Sequence, residues 1–381
     1  MRRFFNALIR FIREADVLLL VLSMCSAIYG IVLISSVLKN NSGGSIAVQI
    51  GAVILGIILF ILFSYVDIDI IADKSQILLI LSVLLIGILL IWGVGEEGTG
   101  HRAWIRFFGI GIQPTEIVKI TFVIITARMI VNYRERKTLN TFVSILQMFL
   151  VFVLIFGLVS VIAGDLGSAL VFLFMFVVML FVGGIKLRWF LIGGALLAAL
   201  SPVVLYYFLS ETQRIRIEAL INPNIVDPDR QGVLWQADQS VRAISSGGFL
   251  GQGLGKGRMT QGGRIPIQSS DFIFSAAGEE LGFLGCMIVV LLLVAIIIRC
   301  IYVGVRSNST LGMLVCTGIS AMLIAQTFEN IGMCLGLLPV IGITLPFFSY
   351  GGSSIVTCFA AMGIISGIKM RPKPLRYRYM R

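Results

Sequence analysis

Ten apolar stretches of roughly 18 to 25 residues recur along this chain of 381 residues, near 16 to 38, 46 to 66, 76 to 94, 113 to 132, 141 to 162, 166 to 185, 188 to 209, 272 to 300, 311 to 338 and 343 to 368. Each is long enough to cross a hydrocarbon core of about 30 Å as a helix. With 58% hydrophobic and 13% charged residues and a mean hydropathy of +1.00, there is too little polar surface to cover a water-soluble core. The expected fold is an all-α polytopic membrane protein of about ten transmembrane helices. It reads as a single membrane domain over 1–381, with a large loop over 210–271 between the seventh and eighth spans.

A formal charge of +11 suggests a nucleic-acid partner only until the charges are located. The basic residues sit in short clusters between apolar runs, the pattern of the positive-inside rule, so no nucleic acid is expected. Alternate segments carry nineteen Lys and Arg against three in the short loops facing the other way. That asymmetry places both termini in the cytoplasm and the long loop outside. The first 15 residues hold four arginines among Phe4, Phe5, Leu8, Ile9, Phe11 and Ile12, as in a helix lying at the cytoplasmic interface, and 369–381 form a basic cytoplasmic tail. Six cysteines lie in or beside apolar runs without a CxxC pair, and there is one histidine, so neither a disulfide frame nor a zinc site is expected.

The 210–271 loop carries seven basic and six acidic residues, and eight of the seventeen residues from Gly247 to Gly263 are glycine. Its large apolar residues, such as Trp235 and Phe249, set it apart from a disordered linker. Leu234, Ala237, Val241 and Ile244 share one helical face, with Asp238, Gln239 and Arg242 off it, as in a segment resting on or re-entering the membrane. The glycine run that follows is either a bland flexible loop or a cradle whose amides hold a phosphate beside Lys256 and Arg258.

Ionisable groups within apolar runs cost roughly 2.5 to 3.5 kcal/mol each at the bilayer centre, so they call for partners or a function. Pro114 and Thr115 suit a helix start, and Glu116 and Lys119 then project from one face, either as a self-neutralising pair or towards a polar cavity. Asp271 reads either as the N-cap of the next helix or as a general base at the water boundary beside the basic loop. Glu279 and Glu280 require partners or raised pKa values. Pro339, Pro346 and the Gly351-Gly352 pair mark broken helix lining a cavity, which Glu329 and Asn330 face as well.

Five ordered segments carry a family resemblance: Gln113 to Ile120, Asp165 to Ala169, Gln239 to Gly248, Asp271 to Gly282, and Leu345 to Ser353. Together they resemble the bacterial shape, elongation, division and sporulation family, the group of RodA, FtsW and SpoVE, over nearly the whole chain. The resemblance implies ten membrane helices and a peptidoglycan glycosyltransferase that polymerises lipid II beside a class B penicillin-binding protein. Its implied substrates are lipid II and the undecaprenyl-diphosphate-linked glycan, and membrane lipids surround it. Asp271 takes the implied catalytic position, with Glu116 supporting it and Lys119 expected near it. Arg102, Gln239, Ser240, Arg242, Lys256, Ser349, Gly351 and Gly352 complete the expected substrate-binding or supporting set.

The chain departs from the family pattern over Ile267-Gln268-Ser269-Ser270, where relatives carry an acidic residue at the position of Ile267 and a histidine at that of Ser269, and at Ala163-Gly164, where Gln-Pro is common. In the implied reaction Asp271 takes a proton from the acceptor hydroxyl. Lys119, Arg242, Lys256, Arg258 or a divalent cation such as Mg offsets the departing diphosphate. No protein metal ligands are assigned. Two other readings fit many spans and broken helices: a flippase for lipid-linked precursors, and a non-catalytic scaffold for a penicillin-binding protein.

Overall fold

The computed structural model describes residues 13–39, 45–95, 103–107, 110–203 and 211–371. His101, Arg102, most of the expected interfacial N-terminal segment and most of the basic tail lie outside the described residues.

Among the described residues, eight helices are long and apolar enough to cross a membrane: Val17–Val37, Ile46–Tyr65, Ser75–Trp92, Phe142–Val161, Leu166–Gly183, Ile273–Val305, Thr310–Cys334 and Gly352–Met370. Two further expected spans coincide with helices of different character. Pro114–Glu135 has 22 residues but carries Glu116 and Lys119 in its first two turns, and Leu187–Val203 has 17 residues. Only the second half of the run at 343 to 368 is helical. Pro346 and the glycine pair keep the backbone irregular up to Gly351, and Phe347 takes φ 68°. A short antiparallel hairpin pairs Ile105–Phe107 with Ile110–Ile112, an addition to the all-α expectation.

Aromatic side chains join three of the helices. Phe122, from Pro114–Glu135, meets Phe172 edge to face at 5.2 Å, and Phe152 stacks on Phe176 at 4.6 Å. These contacts fix the helix bearing Glu116 against Phe142–Val161 and Leu166–Gly183 without any polar requirement.

The 33-residue helix Ile273–Val305 is broken at Gly282, with φ 67° and ψ −161°, a conformation that only glycine adopts readily. The break frees backbone groups that a hydrocarbon environment cannot satisfy. The glycine-rich loop supplies their partners: Phe283 and Leu284 N–H donate to the carbonyls of Gly248 and Phe249, at 2.9 and 3.3 Å. In return Gln252 and Gly253 N–H donate to the carbonyls of Glu279 and Glu280, at 3.0 and 2.9 Å. The glutamate side chains finish the joint. Glu279 accepts from Met259 N–H, Thr260 N–H and the Thr260 hydroxyl at 2.6 to 2.8 Å. Glu280 accepts from Ser36 Oγ at 2.5 Å and Gln261 Nε2 at 2.8 Å. The like-charged pair therefore ties the loop to the helix, and the glycine run is neither a free loop nor an open cradle at Gly251 to Gly253, whose amides donate to protein carbonyls.

The helix Trp235–Gly247 forms where amphipathic periodicity places it, and the face it packs within the protein differs from that apolar face. Ala237, Ser240, Ala243 and Gly247 are buried and Val241 is exposed, because the small residues allow close approach to Ile273–Val305. At Gly247 an added Cβ would lie 1.9 Å from the carbonyl oxygen of Gly278, whereas at Gly157 it would meet nothing within 4 Å. Gly247→Ala is expected to cost about 1 to 3 kcal/mol or more through overpacking and to lower the thermal midpoint in detergent. Gly157→Ala should leave that midpoint unchanged or slightly higher.

Candidate functional site

Two irregular segments meet above the helix Thr310–Cys334, and three side chains bind them together. Ile267, at φ 41°, accepts through its carbonyl from the N–H groups of Ser270, Asp271 and Phe272, forming a tight turn. Asn330 Nδ2 then donates to the carbonyls of both Asp271 and Ile343, at 2.7 and 2.6 Å. Ser349 Oγ donates to the Ser270 carbonyl at 2.5 Å and accepts from Leu345 N–H at 2.7 Å. Gln49 holds the far end, with Nε2 on the Ser349 carbonyl and Oε1 accepting from Gly351 N–H. These bonds supply the irregular backbone with the partners a helix would have given it.

The N-cap of the following helix is Phe272, with no side-chain cap bond, so the reading of Asp271 as a cap is corrected. Asp271 is instead half-buried in the wall of a cavity of about 320 Å³. Gln113, Glu116, Asp165, Arg216, Gln326 and Tyr350 also line it. Pro114 opens the helix that presents Glu116, as expected. Lys119 Nζ donates to Glu116 Oε1 at 2.8 Å, with both side chains almost wholly buried. The two alternatives for this pair thus merge: it is self-neutralising, and its carboxylate member faces a polar cavity.

Asp165 caps Leu166–Gly183 by accepting from Ser168 N–H at 2.8 Å, and its other oxygen accepts from Ser168 Oγ at 2.6 Å and Gln113 Nε2 at 3.0 Å. Arg216, on the helix Glu211–Ile221, donates to the Val340 carbonyl at 2.7 Å. Burial lowers its pKa below the usual value, while guanidinium groups remain charged in proteins.

The other expected site residues are placed elsewhere. Lys119 does not line the cavity; it stands behind Glu116. Ser240 is fully buried, its hydroxyl 2.5 Å from Ser275 Oγ and donating to the Cys334 carbonyl at 2.6 Å. Gln239, Arg242 and Lys256 fall outside the cavity lining, the latter two exposed. Ser349 and Gly351 support the irregular segment, and Gly352 begins the last helix. Arg216 and Gln326 were not singled out from sequence, since one is among seven basic loop residues and the other is an amide within an apolar run.

No group of three or more His, Cys, Asp or Glu side chains among the described residues is arranged to hold a metal ion. Of the cavity carboxylates, Glu116 is paired with Lys119, and Asp165 accepts from Ser168 and Gln113. Glu116→Gln would leave Lys119 buried without its counter-charge and is expected to cost about 3 to 5 kcal/mol of stability. The pair Glu116→Gln with Lys119→Met should recover most of that loss in thermal unfolding, giving a strongly non-additive double-mutant cycle.

Residues 14–373 match the family model described as a cell cycle protein, that of FtsW, RodA and SpoVE. A probable peptidoglycan glycosyltransferase FtsW of Trichlorobacter lovleyi is 31% identical over 371 residues, covering 94% of this chain and 95% of that one. Among solved structures, one from a study of how a peptidoglycan synthase complex coordinates polymerization and crosslinking superposes with a TM-score of 0.80 at 27% identity. It covers 97% of this chain and 99% of its own. The rod shape determining protein RodA of Thermus thermophilus superposes with a TM-score of 0.69 at 26% identity and the same coverage. On a match that spans nearly its whole length, this multi-pass membrane chain belongs to the FtsW, RodA and SpoVE family of cell cycle proteins.

Proposed function

We propose that this chain is a peptidoglycan glycosyltransferase that polymerises lipid II at the outer face of the cytoplasmic membrane, with Asp271 as general base. The observation that carries the reading is Asp271 itself. It stands in the wall of a 320 Å³ cavity, its backbone carbonyl clamped by Asn330, with the guanidinium of Arg216 lining the same space. Relatives named peptidoglycan glycosyltransferases and a neighbour from a peptidoglycan synthase complex support the same chemistry.

The donor is the growing glycan on its undecaprenyl diphosphate, and the acceptor is the GlcNAc 4-hydroxyl of an incoming lipid II. As the acceptor oxygen bonds to the donor's anomeric carbon, Asp271 takes the hydroxyl proton. The bond from that carbon to the diphosphate oxygen breaks, and its electron pair leaves on the diphosphate. One displacement inverts the configuration and needs no covalent sugar intermediate, consistent with the absence of an activated nucleophile beside Asp271 among the described residues. Arg216 is the lining cation that offsets charge on the leaving group, in place of the exposed Arg242 and Lys256. Lys119 acts through Glu116, holding that side chain in place.

The charge asymmetry supports cytoplasmic termini and an external 210–271 segment, the side on which lipid II is polymerised. A class B penicillin-binding protein is the proposed partner, its transpeptidase crosslinking the strands made here.

With purified protein and lipid II, Asp271→Asn should lower the polymerisation rate about 10²- to 10⁴-fold. A rate equal to the parent's would sink the assignment, and lipid II crossing proteoliposomes without polymer would favour a flippase. Arg216→Ala should lower the rate about 10-fold or more, as expected for loss of a charge-stabilising group. Arg242→Ala and Lys256→Ala should leave it near the parent's.

A further inference from the structure

The lining of the cavity contains a hydrogen-bond acceptor that the reaction scheme does not use. Gln326 is 1% exposed and lines the cavity, yet its Oε1 meets no hydrogen-bond partner among the described residues. Buried polar groups are nearly always paired, and leaving one unpaired carries a desolvation penalty. The neighbouring donors are already engaged within the protein. Gln113 Nε2 and Ser168 Oγ both donate to Asp165, and Lys119 Nζ donates to Glu116. Besides the Gln326 Nε2 group, what this part of the lining offers a ligand is acceptors: Gln326 Oε1 and the carboxylates of Glu116, 3% exposed, and Asp165.

An acceptor-rich pocket selects a ligand that brings hydrogen-bond donors. An ionised phosphate brings acceptors and negative charge, so it is repelled here and suits the end near Arg216, which is less buried and carries the guanidinium. A sugar bearing hydroxyl and acetamido groups brings the donors that are missing. We propose that Gln326 is a specificity-determining residue, its Oε1 accepting a hydrogen bond from a hydroxyl or acetamido N–H of the substrate's aminosugar. The substrate then lies with its sugar towards Gln326 and Glu116 and its diphosphate towards Arg216. The inference rests on the reading of this cavity as a lipid II site and adds the orientation of substrate within it.

The test measures equilibrium binding of lipid-linked disaccharides to full-length protein carrying Asp271→Asn, so that binding is read without turnover. The natural disaccharide is compared with analogues in which one hydroxyl is replaced by hydrogen, or the acetamido N–H by an ester oxygen. Removing the one donor that Gln326 receives should weaken binding about 10- to 100-fold, since the acceptor is then left buried and unpaired. Gln326→Leu should weaken the natural ligand by a similar factor and become indifferent to that analogue. Gln326→Glu, which keeps an acceptor, should still discriminate. Thermal midpoints of the ligand-free variants identify any loss that comes from misfolding.

The hydroxyl and ester analogues separate the two possible donors. Equal weakening by Gln326→Leu of the natural ligand and every analogue overturns the proposal, as does no weakening at all. The underlying activity is judged apart from this, since loss of that reading would show as absence of polymer with the parent protein.

Discussion

Every interruption of a helix inside a membrane leaves backbone donors and acceptors that lipid cannot satisfy, and this protein is organised around meeting that demand at two places. At Gly282 the partners come from the backbone of the glycine-rich loop. Between Leu335 and Gly351 they come from single side chains, Asn330, Ser349 and Gln49. The same bonds that make the irregular backbone tolerable also fix Asp271, because Asn330 holds the carbonyls of Asp271 and Ile343 together. Structural necessity and site geometry are here one set of contacts.

The acidic residues within the membrane-spanning part divide by the partners they meet. Glu279 and Glu280 are saturated by the loop and by Ser36. Asp16 is buried against Arg299, at 2.9 Å, with Lys369 at 3.7 Å, which ties the start of the first span to the last. Glu116, Asp165 and Asp271 open onto the cavity. The first two groups hold helices in register, and the third lines the cavity, although all are carboxylates within or beside apolar sequence.

The architecture was largely legible because it depends on the length of apolar runs, a local property. The start at Pro114 was legible for the same reason, since proline at the first helical position acts locally. The site was legible only in part. Glu116 and Asp271 stood out as charges in apolar surroundings, but the cavity draws on segments as far apart as Gly95 and Tyr350, and no periodicity reports their convergence. Arg216 could not be told from six other basic loop residues, and the serine of the Gln239-Ser240 pair points into a helix contact. The face of Trp235–Gly247 that packs on the neighbouring helix was not read from the sequence, because close helix approach selects alanine, serine and glycine over the larger apolar residues.

The splint at Gly282 also decides which parts of the protein can yield. The segment from Trp235 to Asp271 is stapled on both sides of the break, and its last residue is the carboxylate in the cavity wall. Lifting that segment would part the broken helix and displace Asp271 together with it. It therefore behaves as a rigid jaw. Arg216 reaches the same cavity from a different segment, donating to the Val340 carbonyl. The joint that satisfies the broken helix is thus also what holds the carboxylate of Asp271 in the cavity wall.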